Sequence, residues 1–406
     1  MKNLRIIGNT QNAGDVEILG LGWNNSNVTH IFNVAADSFT LANMTIGAVF
    51  YHPVQVHSHP NDADFFHVRN VRFIDAKEQL LKVSGGSTTY ADKGIVECCT
   101  FEFTAGIAFQ DYTGGIDAHQ SKDWIVRDNI FKNIKSPNST LAEHAIHFWR
   151  RSTNTWVERN VIINCDRGIG FGLGDDPLNG HPEGLICNNF VHTSTDVGIG
   201  LEYAPNVKIY NNTVITENYS NAIEYRFAGT SNVHVANNLT KGIITDRSSG
   251  SSGTIESNVE ISTLHMFADS TNHDYHLTGQ FTGIVDAGIS LVEIISDVDC
   301  EIRPVNDVID IGADEYSMQT TSSDVVLDPS NILLYPNPVE NKFTISGTVN
   351  DYTVEVLDQT GQVYMAFNQS SGNITVDLST LPAGLYFVKV ENKQNQLLCI
   401  KLILKT

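Results

Sequence analysis

Positive charge is what this 406-residue chain most lacks: 25 Lys and Arg stand against 46 Asp and Glu, a formal net charge of -21. Nucleic acid and anionic membrane surfaces need a basic face, so neither is an expected partner, and an acidic polysaccharide would need basic groups gathered locally. No apolar run reaches the roughly 18 residues of a membrane-spanning helix, and no long amphipathic helix can be traced. The opening stretch Met1 to Ile7 (MKNLRII) is too short and too soon polar for a signal peptide. It reads as a strand already inside a repeat, so the natural start is expected upstream. The six cysteines, Cys98, Cys99, Cys165, Cys187, Cys300 and Cys399, fit neither a metal-ligand spacing nor a dense disulfide framework. Small core filler is the expected role, with a Cys165–Cys187 pair left open because the two fall on adjacent repeats in different registers.

What is present is repetition. Six alternating segments end on asparagine at Asn129, Asn160, Asn189, Asn212, Asn238 and Asn258, with earlier rungs at Asn43 and Asn70 and with Cys98 or Cys99 standing in the asparagine place. Returns at this interval are those of stacked coils, and an asparagine repeated at one place can pair its amide with those above and below. The expected fold is therefore all-β: a parallel β-helix over residues 1–260, an irregular cap over 261–316, a polar linker over 317–331, and a small β-sandwich over 332–406.

Two families are resembled. The strings Asp274-Tyr275-His276-Leu277 and Asp310-Ile311-Gly312-Ala313-Asp314-Glu315-Tyr316 resemble the closing region of bacterial right-handed parallel β-helix proteins. Tyr335-Pro336-Asn337-Pro338, Asp358-Gln359-Thr360-Gly361-Gln362 and Leu381-Pro382-Ala383-Gly384-Leu385-Tyr386 resemble the C-terminal sorting domain of the type IX secretion system of Bacteroidota. That likeness implies a secreted or surface-attached protein, handled by the type IX machinery through 332–406. The region from Gly115 to Arg247 is similar to secreted bacterial β-helix proteins carrying HAIHFW, RGIGFGLG and NAIEYRF strings, which implies no particular reaction.

A second strand per coil aligns on Val54, Leu81, Ile116, Ile146, Ile169, Ile199, Ile223 and Ile244. Side chains alternate along a strand, so the residues one and three places on face outward. The outward columns read Gln55, Lys82, Asp117, His147, Gly170, Gly200, Glu224 and His57, Ser84, His119, Trp149, Gly172, Glu202, Arg226, with Arg247 expected beside Arg226. Coils stack about 4.8 Å apart. Asp117, His119, His147 and Trp149 should therefore form one wall, and Glu202, Glu224 and Arg226 another. Gly170 and Gly172 would be the floor of a sugar-sized groove between them, bordered by Arg151 and Arg167.

The expected partner is a polysaccharide and the favoured chemistry a lyase on a uronate-containing glycan. Elimination needs a cation at the carboxylate, a base and an acid. Arg226 or Arg167 would neutralise the carboxylate, His119 or His147 would be base, and a second histidine or Tyr203 the acid. The alternatives are a glycoside hydrolase using Glu202 and Glu224, or a non-catalytic glycan-binding solenoid. No metal or other cofactor is expected, calcium through Asp175, Asp176 and Asp196 being the one candidate. The protein is expected to be a monomer.

Overall fold

The computed structural model describes residues 3–317 except 87 and 139, and residues 332–405 except 338, 347–351, 359–361, 370–372 and 393–396. The linker at 318–331 lies outside the described residues, as do Pro338 of the first sorting-type motif and residues 359–361 of the second. Two units are described in turn, the first being 1–289 with 308–316 and the second 290–307 with 317–406.

The first unit is a parallel β-helix. One face is a nine-stranded parallel sheet that visits every coil: β1 (His30–Val34), β2 (His52–Ser58), β3 (Leu81–Gly85), β4 (Ile116–His119), β5 (His144–Trp149), β6 (Arg167–Phe171), β7 (Ile199–Glu202), β8 (Asn221–Arg226) and β9 (Ile243–Asp246). The register is the one expected: Ile116 pairs with Leu81 and Ile146, Ile169 with Ile146 and Ile199, and Ile223 with Ile199 and Ile244. These residues and the apolar residues two positions on, Val56, Val83, Ala118, Phe148, Phe171, Leu201 and Tyr225, fill one continuous core, in which Phe73, Phe101 and Phe131 stack at centroid spacings of 4.5 and 4.6 Å. The first strand of the chain, Arg5–Ile7, pairs with Thr40–Ala42 of the next coil.

The other strands of each coil join an 18-stranded sheet, and the asparagine ladder runs along its corner. Asn129 Nδ2 donates to Asn160 Oδ1 at 2.9 Å, Asn160 to Asn189 at 3.0 Å, Asn189 to Asn212 at 2.8 Å, Asn212 to Asn238 at 3.0 Å and Asn238 to Asn258 at 2.9 Å. Cys99, not Cys98, takes the rung before Asn129, its backbone N–H donating to Asn129 Oδ1. Asn43 and Asn70 are not rungs of this ladder. They share a neighbouring column with Cys98, Asp128, Arg159, Asn188, Asn211, Asn237 and Ser257, all left-handed with φ between 50° and 58°. Asparagine tolerates that conformation, and at both kinds of position it reads identically in sequence. Cys165 and Cys187 form no disulfide. Arg159 pairs with Asp128 and Glu158 along the coils, as expected of a structural arginine.

Beyond the coils, Phe267–Asp269 and Asp274–Leu277 form an antiparallel pair. The Asp310–Tyr316 segment returns to the helix, where Asn211 Nδ2 donates to the Asp310 carbonyl at 2.8 Å and the Ala313 N–H to Thr213 Oγ1 at 3.0 Å. In the second unit, Leu333–Tyr335, Lys342–Ser346 and Ile374–Asp377 form one antiparallel sheet. Val363–Gln369, Tyr352–Leu357, Gly384–Asn392 and Leu397–Lys405 form another. Phe343, Ile345, Val354, Val356, Val376 and Val388 are buried as a common core, which makes a small sandwich.

Candidate functional site

The outward columns on β3 to β8 lie where alternation places them, and a third column precedes them. In five successive coils a small residue comes before the aligned isoleucine: Gly115, Ala145, Gly168, Gly198 and Ala222. Each is buried at a corner so tight that an added Cβ on Gly115, Gly168 or Gly198 would meet backbone of the next coil or a core side chain at 2.2 Å. The chain therefore bends there, and His144, one residue earlier on β5, swings onto the outer face beside His147, ring centroids 4.7 Å apart. The recurring small-residue–Ile pair was the signal that could have located this column.

At the β3–β5 end, Asp117 is the hub. Its Oδ1 accepts from Trp149 Nε1 at 2.7 Å and lies 3.4 Å from His119 Nε2, while Oδ2 is bonded by Lys82 Nζ. Burial alone would raise the Asp117 pKa, but the His119 hydrogen bond and the Lys82 charge hold it well below the usual carboxylate range. Asp117 is only 3% exposed, so it organises the patch and does not itself bind a substrate. His119 and Trp149 are partly open, edge to face at 4.4 Å. Burial pushes the His119 pKa below 6.5, opposed by Asp117, and keeps the ring neutral at neutral pH. Lys82 Nζ also lies 3.4 Å from His119 Nε2, so that nitrogen stands between a donor-only ammonium and the acceptor-only Asp117 carboxylate.

His147 corrects the expectation of an exposed second histidine. Its phase is outward, yet it is 1% exposed, with Nε2 3.1 Å from the Gly172 carbonyl oxygen and Nδ1 3.3 Å from Glu143 Oε2. The glycine floor is likewise not an open groove. A Cβ on Gly170 would stand 2.7 Å from the His144 ring, and one on Gly172 would strike the Glu202 carbonyl oxygen. These glycines make room for an imidazole and a neighbouring backbone, not for a sugar. Arg167 is also committed: its Nε donates to the Ala142 carbonyl at 2.9 Å and its Nη2 lies 3.7 Å from Glu143.

The second wall is a pair of closed ion pairs. Glu202 Oε1 accepts from Arg226 Nε at 2.9 Å and from its Nη2, and Oε2 accepts from the Gly174 N–H. Glu224, 5% exposed, gives Oε1 to Arg247 Nη1 at 2.6 Å and Oε2 to Tyr219 Oη at 3.0 Å and Asn221 Nδ2 at 2.7 Å. All four carboxylate oxygens are therefore occupied. Asp175, Asp176 and Asp196 do not gather into a ligand group among the described residues, and Asp176 instead caps the turn at Pro177–Asn179 by accepting from Leu178 N–H.

What is open lies one residue further along. A cleft of about 510 Å³ is lined by Gly85, Gly86, Gln120, Arg150, Arg151, Asp176, Leu178 and Asn179. It adjoins the ends of β3, β4 and β5, immediately after Ser84, His119 and Trp149. Its two arginines are exposed and left-handed, with φ of 48° and 66°. Of the expected site residues, Arg151 lines this cleft, while His119 and Trp149 are the partly exposed residues that precede its lining residues Gln120 and Arg150 in the chain. Arg150, which follows the last alternating position, lines it too.

Residues 333–405 match the model of the secretion system C-terminal sorting domain, and residues 78–274 match the model described as periplasmic copper-binding protein (NosD), a repeat family. The chain is a parallel β-helix protein whose type IX sorting domain directs it to the cell surface or the extracellular space. No curated protein matches it. Among solved structures, XylC in complex with xylose is 9% identical, with 86% of this chain and 68% of that one covered at a TM-score of 0.37. The full-length tailspike protein 2 of an Escherichia coli O157:H7 bacteriophage is 10% identical, with 100% and 64% covered at a TM-score of 0.33. The tailspike's enzymatically active domain is 10% identical, with 100% and 72% covered at 0.34.

Proposed function

We propose that this exported β-helix cleaves a uronate-containing polysaccharide by elimination, with His119 as the base. The observation that carries the reading is the Asp117–His119 pair beside Trp149, one residue before a cleft lined by Arg150 and Arg151. Arg150 and Arg151 offset the acidic surface where an anionic chain would lie, and Trp149 offers a ring for a sugar to stack on. Arginine at the uronate carboxylate acidifies the proton on the adjacent carbon. His119 removes it, the electron pair closes a carbon–carbon double bond, the glycosidic carbon–oxygen bond breaks, and the leaving oxygen takes a proton from water. Asp117 holds the ring and offsets the charge that His119 gains.

Arg226 and Arg247 are committed to Glu202 and Glu224, so the carboxylate is assigned to Arg150 of the cleft. The same pairings weigh against hydrolysis, since neither glutamate turns a vacant oxygen to a substrate. The copper in the name of the matching repeat family has a fitting donor set here: Glu143, His144 and His147, with two imidazole nitrogens lacking partners. An ion bound there would supply fixed positive charge on this face, and no step above runs through it.

The test is to incubate the full chain with a panel of uronate and neutral glycans and follow the ultraviolet absorbance of the unsaturated product. His119→Ala should lower the rate by about 100-fold or more. Reducing ends released without that absorbance would replace the reading with hydrolysis. Binding without any product would reduce it to a glycan-binding solenoid.

A further inference from the structure

Outside the open patch, one cluster is chemically incomplete. Glu143, His144 and His147 each present a ligand atom, all within 4.8 Å of one another. His144 and His147 are 8% and 1% exposed, and the Nδ1 atom of each has no hydrogen-bond partner among the described residues. Burying an unpaired polar nitrogen costs roughly 1–3 kcal/mol, and two side by side call for a common explanation. His147 supplies the direction. Its Nε2 is 3.1 Å from the Gly172 carbonyl oxygen, which only accepts, so Nε2 carries the proton and the lone pair of the neutral ring sits on Nδ1. That lone pair lies 3.3 Å from a carboxylate oxygen. Two electron donors at that separation call for a cation between them, either a proton on Nδ1 or a metal ion.

We propose that Glu143, His144 and His147 form a binding site for one divalent first-row transition-metal ion, copper(II) or zinc(II), through a carboxylate oxygen and two imidazole nitrogens. The arrangement fits such an ion in three respects. Imidazole and carboxylate are ligands both metals accept. The second nitrogen of His147 is fixed by a backbone carbonyl, the usual outer contact of a metal-bound histidine. Gly170 leaves the space that the His144 ring occupies. Arg167, with Nη2 3.7 Å from Glu143, is a competing cation. The inference does not depend on lyase activity, since none of the three ligands opens onto the arginine-lined cleft.

The experiment uses the full, untagged chain freed of metal by a chelator. Copper(II) is added and the protein desalted. Bound copper is counted by elemental analysis, and its ligands are read by electron paramagnetic resonance. One retained equivalent, with splitting from two nitrogens, is expected, while magnesium and calcium should not be retained. His144→Ala and Glu143→Gln should each weaken retention about 10- to 100-fold, and Gly170→Ala, which leaves every ligand in place but displaces the His144 ring, by a similar factor. Arg167→Gln should tighten it. Circular dichroism establishes that each variant is folded. Copper retained equally by wild type, His144→Ala and Gly170→Ala, or a spectrum without nitrogen splitting, would overturn the proposal.

Discussion

At the scale of single residues, the site is decided by which charges are already spent. Lys82 and Asp117, 35 residues apart in the chain, were legible as neighbours in one outward column, but the closed ion pair between them was not. With both side chains nearly closed to water, at 11% and 4% exposure, removing one partner leaves the other buried and uncompensated. Lys82→Met should therefore destabilise the solenoid by about 3–5 kcal/mol in urea unfolding, and should lower turnover as Asp117 loses its fixed position. Arg150→Gln, at an exposed position, should leave stability within about 0.5 kcal/mol and raise KM for a uronan. An unchanged KM would remove Arg150 from the substrate's carboxylate. His144 escaped sequence reasoning because strict alternation from Ile146 would turn it inward, whereas its ring lies beside that of His147.

At the scale of the element, the asparagine ladder separates interior rungs from end rungs. Asn189 donates to Asn212, to the Val157 carbonyl at 3.0 Å and to the Cys187 carbonyl at 2.9 Å, and its Oδ1 accepts from the N–H and Nδ2 of Asn160. Asn258 has a neighbour on one side only. Asn189→Ala should cost about 3 kcal/mol and Asn258→Ala about 1 kcal/mol by chemical denaturation, since only the first orphans buried groups on both flanks. Equal costs would mean that the backbone ladder alone carries the corner. Most of the fold was legible because its register repeats. The site was less so because Glu143, Gly172 and Gly174, which contact His147 and Glu202, lie outside strands β5 and β6.

For the whole molecule, buried neutral histidines set the acid limit. Burial pushes the pKa of His181 down to about 3 and that of His52 to about 4, from 6.5. The unfolded chain takes up protons at these positions below pH 6.5 while the folded chain does not, so stability is full above that pH and falls as pH drops toward 3 or 4. Near pH 4 the His181 contribution to that loss is roughly 3 kcal/mol. Thermal melts between pH 7 and pH 4 should show a falling midpoint, flattened in His181→Gln. An acid-independent midpoint would show that other groups offset the histidines.

The ladder has one further property, that of direction. Every link runs from Nδ2 of one coil to Oδ1 of the next, from Asn129 to Asn258, so the amide dipoles lie head to tail. Each then polarises its neighbour, by perhaps 10–30% per bond. The corner is in effect a wire with a donor end and an acceptor end, and a break in it should be felt at a distance. Hydrogen exchange in Asn189→Ala should quicken not only at the adjoining Asn160 N–H but also, more weakly, at Asn129, two coils away.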